Sequence, residues 1–301
     1  MILDESQLPI QNLFLAFRMF IFGFLQIKMK TNLIVRFGLA ISFFVLVSCA
    51  STNLAVISQQ SYKTQLKEFV KTIKNQTPKV MDSVAVSTFS QTINFNLRKP
   101  NFVIIHHTAQ DSLEQTLKTF RLQETQVSAH YVIGDDGTVI QMLNDYLRSW
   151  HSGISKWGKN TDINSASIGI ELDNNGKDEC FSDAQIKSLL ILLERLKKEY
   201  NIPVQNFIGH LDIAPERKND PSVYFPWKKL AEKGFGLWQD DVLETAPKNF
   251  DTTLALRLIG YDTKNLSATI IAFKRHYIQT DVTNVIDENT RNTIYSIFKK
   301  Q

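Results

Sequence analysis

The rhythm of apolar and polar positions changes several times along this chain. Phe37 to Val47 is an almost uninterrupted apolar run, and 50 to about 100 is polar and rich in Ser, Thr, Gln and Asn. From Asn101 onward, short apolar runs alternate with helical periodicities. Phe102-Val103-Ile104-Ile105 is β-branched and apolar, the pattern of a buried strand. Ser112 to Gln123 predicts a helix. His130-Tyr131-Val132-Ile133 and Thr138-Val139-Ile140-Gln141 flank Gly134-Asp135-Asp136-Gly137, a turn suited to a hairpin. Ser167 to Leu172 predicts another buried strand and Asn206 to Ile208 the last. Ser182 followed by Gln185 is a capping-box signature ahead of Ile186, Leu189, Leu190, Leu193 and Leu196, which share one helical face, and Pro203 lies beyond its end.

Strands and helices mixed in this way predict an α/β domain over 101–238, a mixed β-sheet flanked by helices. After Trp238 the acidic linker Gln239-Asp240-Asp241 leads to helical patterns near Leu254 to Ile259, Thr269 to Tyr277 and Glu288 to Phe298. These predict a small separate three-helix bundle over 250–301. The polar stretch 49–100, with one modest helical pattern at Leu66, Phe69, Val70 and Ile73, predicts a tether.

Met29 to Cys49 has the layout of a secretion signal, with Lys30 and Arg36 as the positive start and Phe37 to Val47 as an apolar centre too short for a membrane span. It ends in Leu46-Val47-Ser48-Cys49, which resembles the lipobox of bacterial lipoproteins. That resemblance implies a signal peptide over 29–48, a lipid anchor on Cys49 and, with Ala50 behind it, a periplasmic protein held at the outer membrane. The other reading of Cys49 is a buried cysteine ending an uncleaved anchor helix. Residues 1–28 put a second apolar patch, Leu13 to Leu25, ahead of a signal complete from Met29, so they read as a non-native or mis-annotated extension, with translation starting at Met29.

Composition changes this picture little. A chain of 301 residues, 43% hydrophobic, can bury a substantial core. Its formal charge of +4 draws on Arg18, Lys28, Lys30 and Arg36 of the leader, and the remainder is close to neutral. So little bias gives no electrostatic case for nucleic acid, whose binding needs concentrated basic patches. Once Cys49 is acylated, Cys180 is the only other thiol, so no intramolecular disulfide can form.

Four of the six histidines, His106, His107, His130 and His151, fall between the first strand and the middle of the α/β domain. A single histidine ending an apolar strand is more often packed than ligating, so His106 needs partners. They occur in Gly209-His210-Leu211-Asp212-Ile213-Ala214-Pro215-Glu216-Arg217-Lys218-Asn219-Asp220-Pro221, where Pro215 and Pro221 favour a loop. Imidazole with carboxylate is a suitable zinc set, and a catalytic zinc takes three protein ligands. His107 would face away from a ligand at His106 if the strand continues, which favours packing for it.

Ile105-His106-His107-Thr108-Ala109, Ser128-Ala129-His130-Tyr131, Trp150-His151-Ser152-Gly153, Ser167-Ile168-Gly169-Ile170-Glu171-Leu172 and the His210 to Asp220 loop resemble, in order, the motifs of the type 2 N-acetylmuramoyl-L-alanine amidases. That family includes phage amidases and animal peptidoglycan recognition proteins. The resemblance covers roughly Asn101 to Trp238 and extends over most of the remaining chain to the lipoprotein amidases of Gram-negative bacteria. It implies one Zn2+ per chain on His106, His210 and Asp220, Glu171 as catalytic acid/base, and Lys218 as stabiliser of the oxyanion. It implies peptidoglycan or muropeptides as substrate. Taken alone, Glu171 also reads as a salt-bridged strand end and Lys218 as an exposed loop lysine. His130 and His151 belong to family motifs as cleft or orienting residues. Asn164 and Trp150 are weaker candidates for substrate contact. Some relatives carry a tyrosine where Ala129 stands, so any polar help from it is missing.

Gly260-Tyr261-Asp262, Ala272-Phe273-Lys274-Arg275 and the stretch from Ile286 to Thr290 resemble a three-helix peptidoglycan-binding domain, which would raise local concentration at the wall. The other reading is a helical cap on the first domain. For the whole chain, the alternative to hydrolysis is a non-catalytic wall-recognition or tethering lipoprotein on the same fold.

Overall fold

The structure, a computed structural model, describes residues 53–75, 80–81, 84–85, 94, 97 and 99–301. The leader and Cys49 lie outside the described residues. The chain divides into two compact units, 1–72 and 73–301. The described part of the first is nearly all of helix α1 (Asn53–Lys74), which ends just past the boundary. At 22 residues it is far longer than the pattern at Leu66 to Ile73 predicts, so much of the expected tether is regular helix. No helix among the described residues is long and apolar enough to cross a membrane.

The second unit opens with a two-stranded antiparallel ribbon, β1 (Val80–Met81) and β2 (Val84–Ala85). The main sheet contains β3 (Phe102–His107), β4 (Tyr131–Ile133), β5 (Val139–Gln141), β6 (Ser167–Leu172) and β7 (Phe207–Gly209) in the order β5-β4-β6-β3-β7. Strands β4, β6, β3 and β7 run parallel, and β5 returns antiparallel to β4 across the predicted hairpin. The expected mixed sheet flanked by helices is what the chain forms.

Helices follow the capping signals. Ser112 caps α2 (Leu113–Arg121), and Ser182 caps α4 (Asp183–Tyr200) by accepting from Gln185 N–H at 3.0 Å. The box at Ser182 is half used, because the Gln185 side chain instead donates to the carbonyls of Ile133 and Asp173, both at 3.0 Å. Three short helices were not legible in the pattern: α3 (Ile163–Ala166), α5 (His210–Ile213) and α6 (Trp227–Glu232). Helix α5 corrects the expectation that His210 to Asp220 is all loop.

Strand alternation gives the sheet two different faces. Val103, Ile105, Ile168, Ile170 and Leu172 point to one face and pack with Ile186, Leu189, Leu193 and Leu196 of α4. Each fully buried aliphatic side chain there contributes roughly 1.5–3 kcal/mol, more than the propensity differences among the residues of α4, which include no glycine or proline, so burial places α4. Ile104 and Ile208 point to the other face. There they share a core with Leu211, Ile213, Leu256, Ile259, Phe273, Tyr277, Ile294 and Ile297. The last five and Leu256 belong to α7 (Thr252–Ile259), α8 (Leu266–Tyr277) and α9 (Glu288–Phe298) and the bundle they form. The C-terminal bundle is therefore not separate. It completes the second hydrophobic layer of the sheet.

Candidate metal centre

The bundle-facing side of β3 and β6 carries the chemistry. In parallel register Phe102 lies beside Ser167, Ile104 beside Gly169, and His106 beside Glu171. The Ser167, Gly169, Glu171 series thus shares a face with His106, while the intervening Ile168, Ile170 and Leu172 enter the opposite core. His210 begins α5 directly after β7, the next strand beyond β3, so all three residues meet at the carboxyl ends of parallel strands. Ligands commonly bind at that edge of α/β sheets.

Three atoms converge there. His106 Nδ1 lies 2.9 Å from His210 Nδ1, and Asp220 Oδ2 lies 3.1 Å from the first and 3.0 Å from the second. All three residues are buried. The loop returns Asp220 to the site because its carbonyl accepts from Leu211 N–H at 2.8 Å, and Arg217 donates to the carbonyls of Ser152 and Ile154.

Hydrogen bonding on the far side of each ring assigns its tautomer. Ser167 Oγ donates to the Ile163 carbonyl at 2.6 Å, so it receives from His151 Nε2–H at 3.0 Å. His151 Nδ1 is then an acceptor and takes His106 Nε2–H at 3.0 Å, which leaves His106 Nδ1 bare. His210 Nε2 faces the Ser152 carbonyl at 3.2 Å and must carry its hydrogen, so in the singly protonated ring that a metal ligand requires His210 Nδ1 is also bare. Burial lowers His106 to about 4, with His210 adding to the effect against the pull of Asp220. Burial and the neighbouring imidazoles hold His151 well below the ordinary histidine value. Two neutral lone pairs and a carboxylate oxygen facing one point are mutually repulsive unless a cation lies between them. The donor set therefore fits a divalent metal such as zinc.

Glu171 stands at the edge of this trio. Its Oε2 is buried without a hydrogen-bond partner. Burial and the Asp220 carboxylate raise its pKa to about 8, against the opposing charge of Lys218. Lys218 itself is exposed, and its backbone N–H bonds to the Ala214 carbonyl at 3.0 Å.

The other sequence candidates divide clearly. His107 faces the opposite side, as strand alternation requires, and its Nδ1 accepts from Ser222 N–H at 3.1 Å. His130 is a fully buried cross-link: its Nε2–H donates to the Leu147 carbonyl at 2.9 Å, and its Nδ1 accepts from Ser149 Oγ and Gly169 N–H. His151 orients His106 and packs its ring onto Gly169, where a Cβ would come within 2.5 Å of the ring. Asn164 works inside the fold, its Oδ1 accepting from His151 N, Ser152 N and Ser152 Oγ at 2.8–3.0 Å. Trp150 is 49% exposed. Ala129 is fully buried. Ser167 escaped sequence reasoning; its place in the alternating Ser-Gly-Glu series of β6 was the available signal.

A profile of the family described as N-acetylmuramoyl-L-alanine amidase matches residues 96–223, which hold the whole sheet and the three converging residues. The N-acetylmuramoyl-L-alanine amidase AmiD of Escherichia coli (strain K12) is 33% identical over 229 residues, 66% of this chain and 82% of AmiD. The chain belongs to the N-acetylmuramoyl-L-alanine amidase family. A solved structure of E. coli AmiD in complex with anhydro-N-acetylmuramic acid-L-Ala-D-gamma-Glu-L-Lys superposes with a TM-score of 0.61 at 29% identity, covering 73% of this chain and 96% of that one. The 1,6-anhydro-N-acetylmuramyl-L-alanine amidase AmpD of Haemophilus influenzae is 38% identical over 109 residues, 36% of this chain and 59% of AmpD. The amidase family match ends before the bundle, whereas the AmiD matches cover more of the chain than that segment.

Proposed function

We propose that this amidase hydrolyses, in a zinc-dependent reaction, the amide bond between N-acetylmuramic acid and L-alanine of peptidoglycan, releasing stem peptides. The convergence of His106 Nδ1, His210 Nδ1 and Asp220 Oδ2 beside an unpartnered Glu171 carries this reading. Those three atoms would hold one zinc ion per chain. When bound, zinc acidifies a water molecule toward a pKa of roughly 7 and polarises the scissile carbonyl.

The chain's own groups supply the proton traffic. Glu171 takes a proton from the attacking water at its free Oε2 and returns it to the departing alanine nitrogen. Lys218 presents its ammonium toward the charge that develops on the carbonyl oxygen. The proton gained by the leaving amine is the one removed from water, so the products are a lactyl carboxylate on the glycan and a free peptide. The relatives' substrates support peptidoglycan fragments as the ligand class. Acylation of Cys49, and with it a periplasmic position at the outer membrane, belongs to the same reading and rests on the Leu46-Val47-Ser48-Cys49 pattern.

The test is digestion of purified sacculi by protein beginning at Ala50, with and without a chelator, beside Glu171→Ala. Mass spectrometry is expected to find stem peptides beginning with alanine, lost on chelation and restored by zinc, and reduced at least about a hundred-fold in the variant. Binding to sacculi without peptide release under any metal condition would leave a wall-recognition protein and overturn the hydrolytic reading.

A further inference from the structure

The C-terminal bundle grips the metal loop at both ends. Two residues after His210, the buried Asp212 receives three donors from different parts of the fold. Its Oδ2 accepts from Gly209 N–H and His276 Nδ1–H, each at 2.7 Å, and its Oδ1 accepts from Tyr261 O–H at 2.5 Å. Gly209 is the residue that hands β7 over to His210, so this carboxylate pins the backbone bearing the second candidate ligand. His276 is itself fixed, stacked on Trp227 at 3.8 Å and on Tyr277 at 4.0 Å between ring centroids. Beyond Asp220, Gln279 Nε2 donates to the carbonyls of Val223 at 2.8 Å and Phe225 at 2.7 Å.

The same bundle edge holds the loop that backs His151 and Ser152. Gly158 N–H donates to the Gly260 carbonyl at 2.6 Å, Lys156 pairs with Asp262 at 3.3 Å, and the Trp157 ring meets Tyr261 edge-on at 4.9 Å. Gly260 cannot be larger, because a Cβ there would lie 2.3 Å from Trp157. Residues whose spacing resembles a peptidoglycan-binding module are thus spent inside the molecule. Tyr261 is 2% exposed, Phe273 and Lys274 are fully buried, and Lys274 Nζ is bonded to Asp281 and Thr283.

We propose that the bundle is a brace that sets the zinc affinity of the centre, with Tyr261, His276 and Gln279 as positioning residues for His210 and Asp220. The proposal rests on the reading that these residues hold zinc. Its physical basis is preorganisation: a loop already anchored through Asp212, Val223 and Phe225 need not be ordered when the ion binds. Partners that orient metal ligands from outside typically change affinity ten- to a hundred-fold when removed.

The experiment measures zinc affinity of the full protein by competition with a chromogenic chelator, together with melting temperature of the zinc-free form, for Tyr261→Phe, His276→Gln and Gln279→Ala. Asn292→Ala is the comparison, because Asn292 of α9 accepts from Ala246 N–H of the segment leading into the bundle at 2.8 Å, away from the metal loop. The expected result is zinc binding weakened about ten-fold or more in the three variants and unchanged in Asn292→Ala, whatever their melting temperatures. Tyr261→Phe removes only a hydroxyl and keeps the ring on Trp157, so it stays readable if another variant fails to fold. Unchanged zinc affinity in Tyr261→Phe and in every other variant that folds, with melting temperatures lowered as in Asn292→Ala, would overturn the brace and leave a passive stabiliser. Failure of the wild type to bind zinc would overturn the metal reading and the brace together.

Discussion

Two buried histidine–aspartate clusters sit on either side of α5, and their hydrogens point in opposite senses. Around Asp212 every facing group is a donor: Gly209 N–H, His276 Nδ1–H and Tyr261 O–H. Around Asp220 the facing atoms, His106 Nδ1 and His210 Nδ1, are acceptors, because the other nitrogen of each ring is committed elsewhere. The Asp212 carboxylate is satisfied as it stands, although His276 Nε2 is buried without a partner, and the second cluster is satisfied only around a cation. Residue type and burial do not separate them. What separates them is the bonding one step further out, where Ser167 and a backbone carbonyl decide which nitrogen is bare.

The strongest way to break the comparison is to give the two aspartates new chemistry. Asp220→Asn places an amide donor among the bare nitrogens, so the zinc-free protein should melt higher while zinc binding disappears and peptide release from sacculi falls at least about a thousand-fold. Asp212→Ala strands three buried donors and should cost about 3 kcal/mol or more in denaturant unfolding of the zinc-free form. If both substitutions merely destabilised the fold, the distinction between the clusters would collapse.

A second test uses pH. The folded pKa of Glu171, about 8, lies above its ordinary 4.5. Between those values the folded zinc-free protein holds a proton that the unfolded chain has released, so stability falls as pH rises through the window. Glu171→Gln removes that penalty. Its gain over wild type in zinc-free unfolding should approach about 5 kcal/mol above pH 8 and vanish below pH 4.5. A pH-independent difference would mean that Glu171 is not held in the environment described. The smallest effect is expected at the outer end of the relay. Ser167→Ala deprives His151 Nε2–H of its acceptor and loosens the tautomer of His106, weakening zinc about ten-fold by chelator competition and lowering the melting temperature by a few degrees.

Much of this is legible in the sequence. The run Phe102 to Ile105, the hairpin around Gly134 to Gly137, the Ser182 cap and the three late helical patterns all use local signals, and local signals survive translation into structure. The separation of His106 from His107 follows from the two-residue period of a strand. Short helices such as α5 were hidden because one turn has no periodicity to read, and the length of α1 because its polar residues mask a weak apolar face.

Residue order by itself thus determined the element types, the faces of β3 and β6, and the motifs that resemble the amidase family. Tertiary structure decided what the matching residues do. Only the parallel pairing of β3 with β6 and β7 sets His106 beside Glu171 and His210, and only the packed bundle brings His276 and Tyr261 onto Asp212, 64 and 49 positions away in the chain. Periodicity and turn chemistry act over a few residues, whereas tautomers, raised pKa values and anchored loops arise from atoms that meet only after the chain has closed on itself.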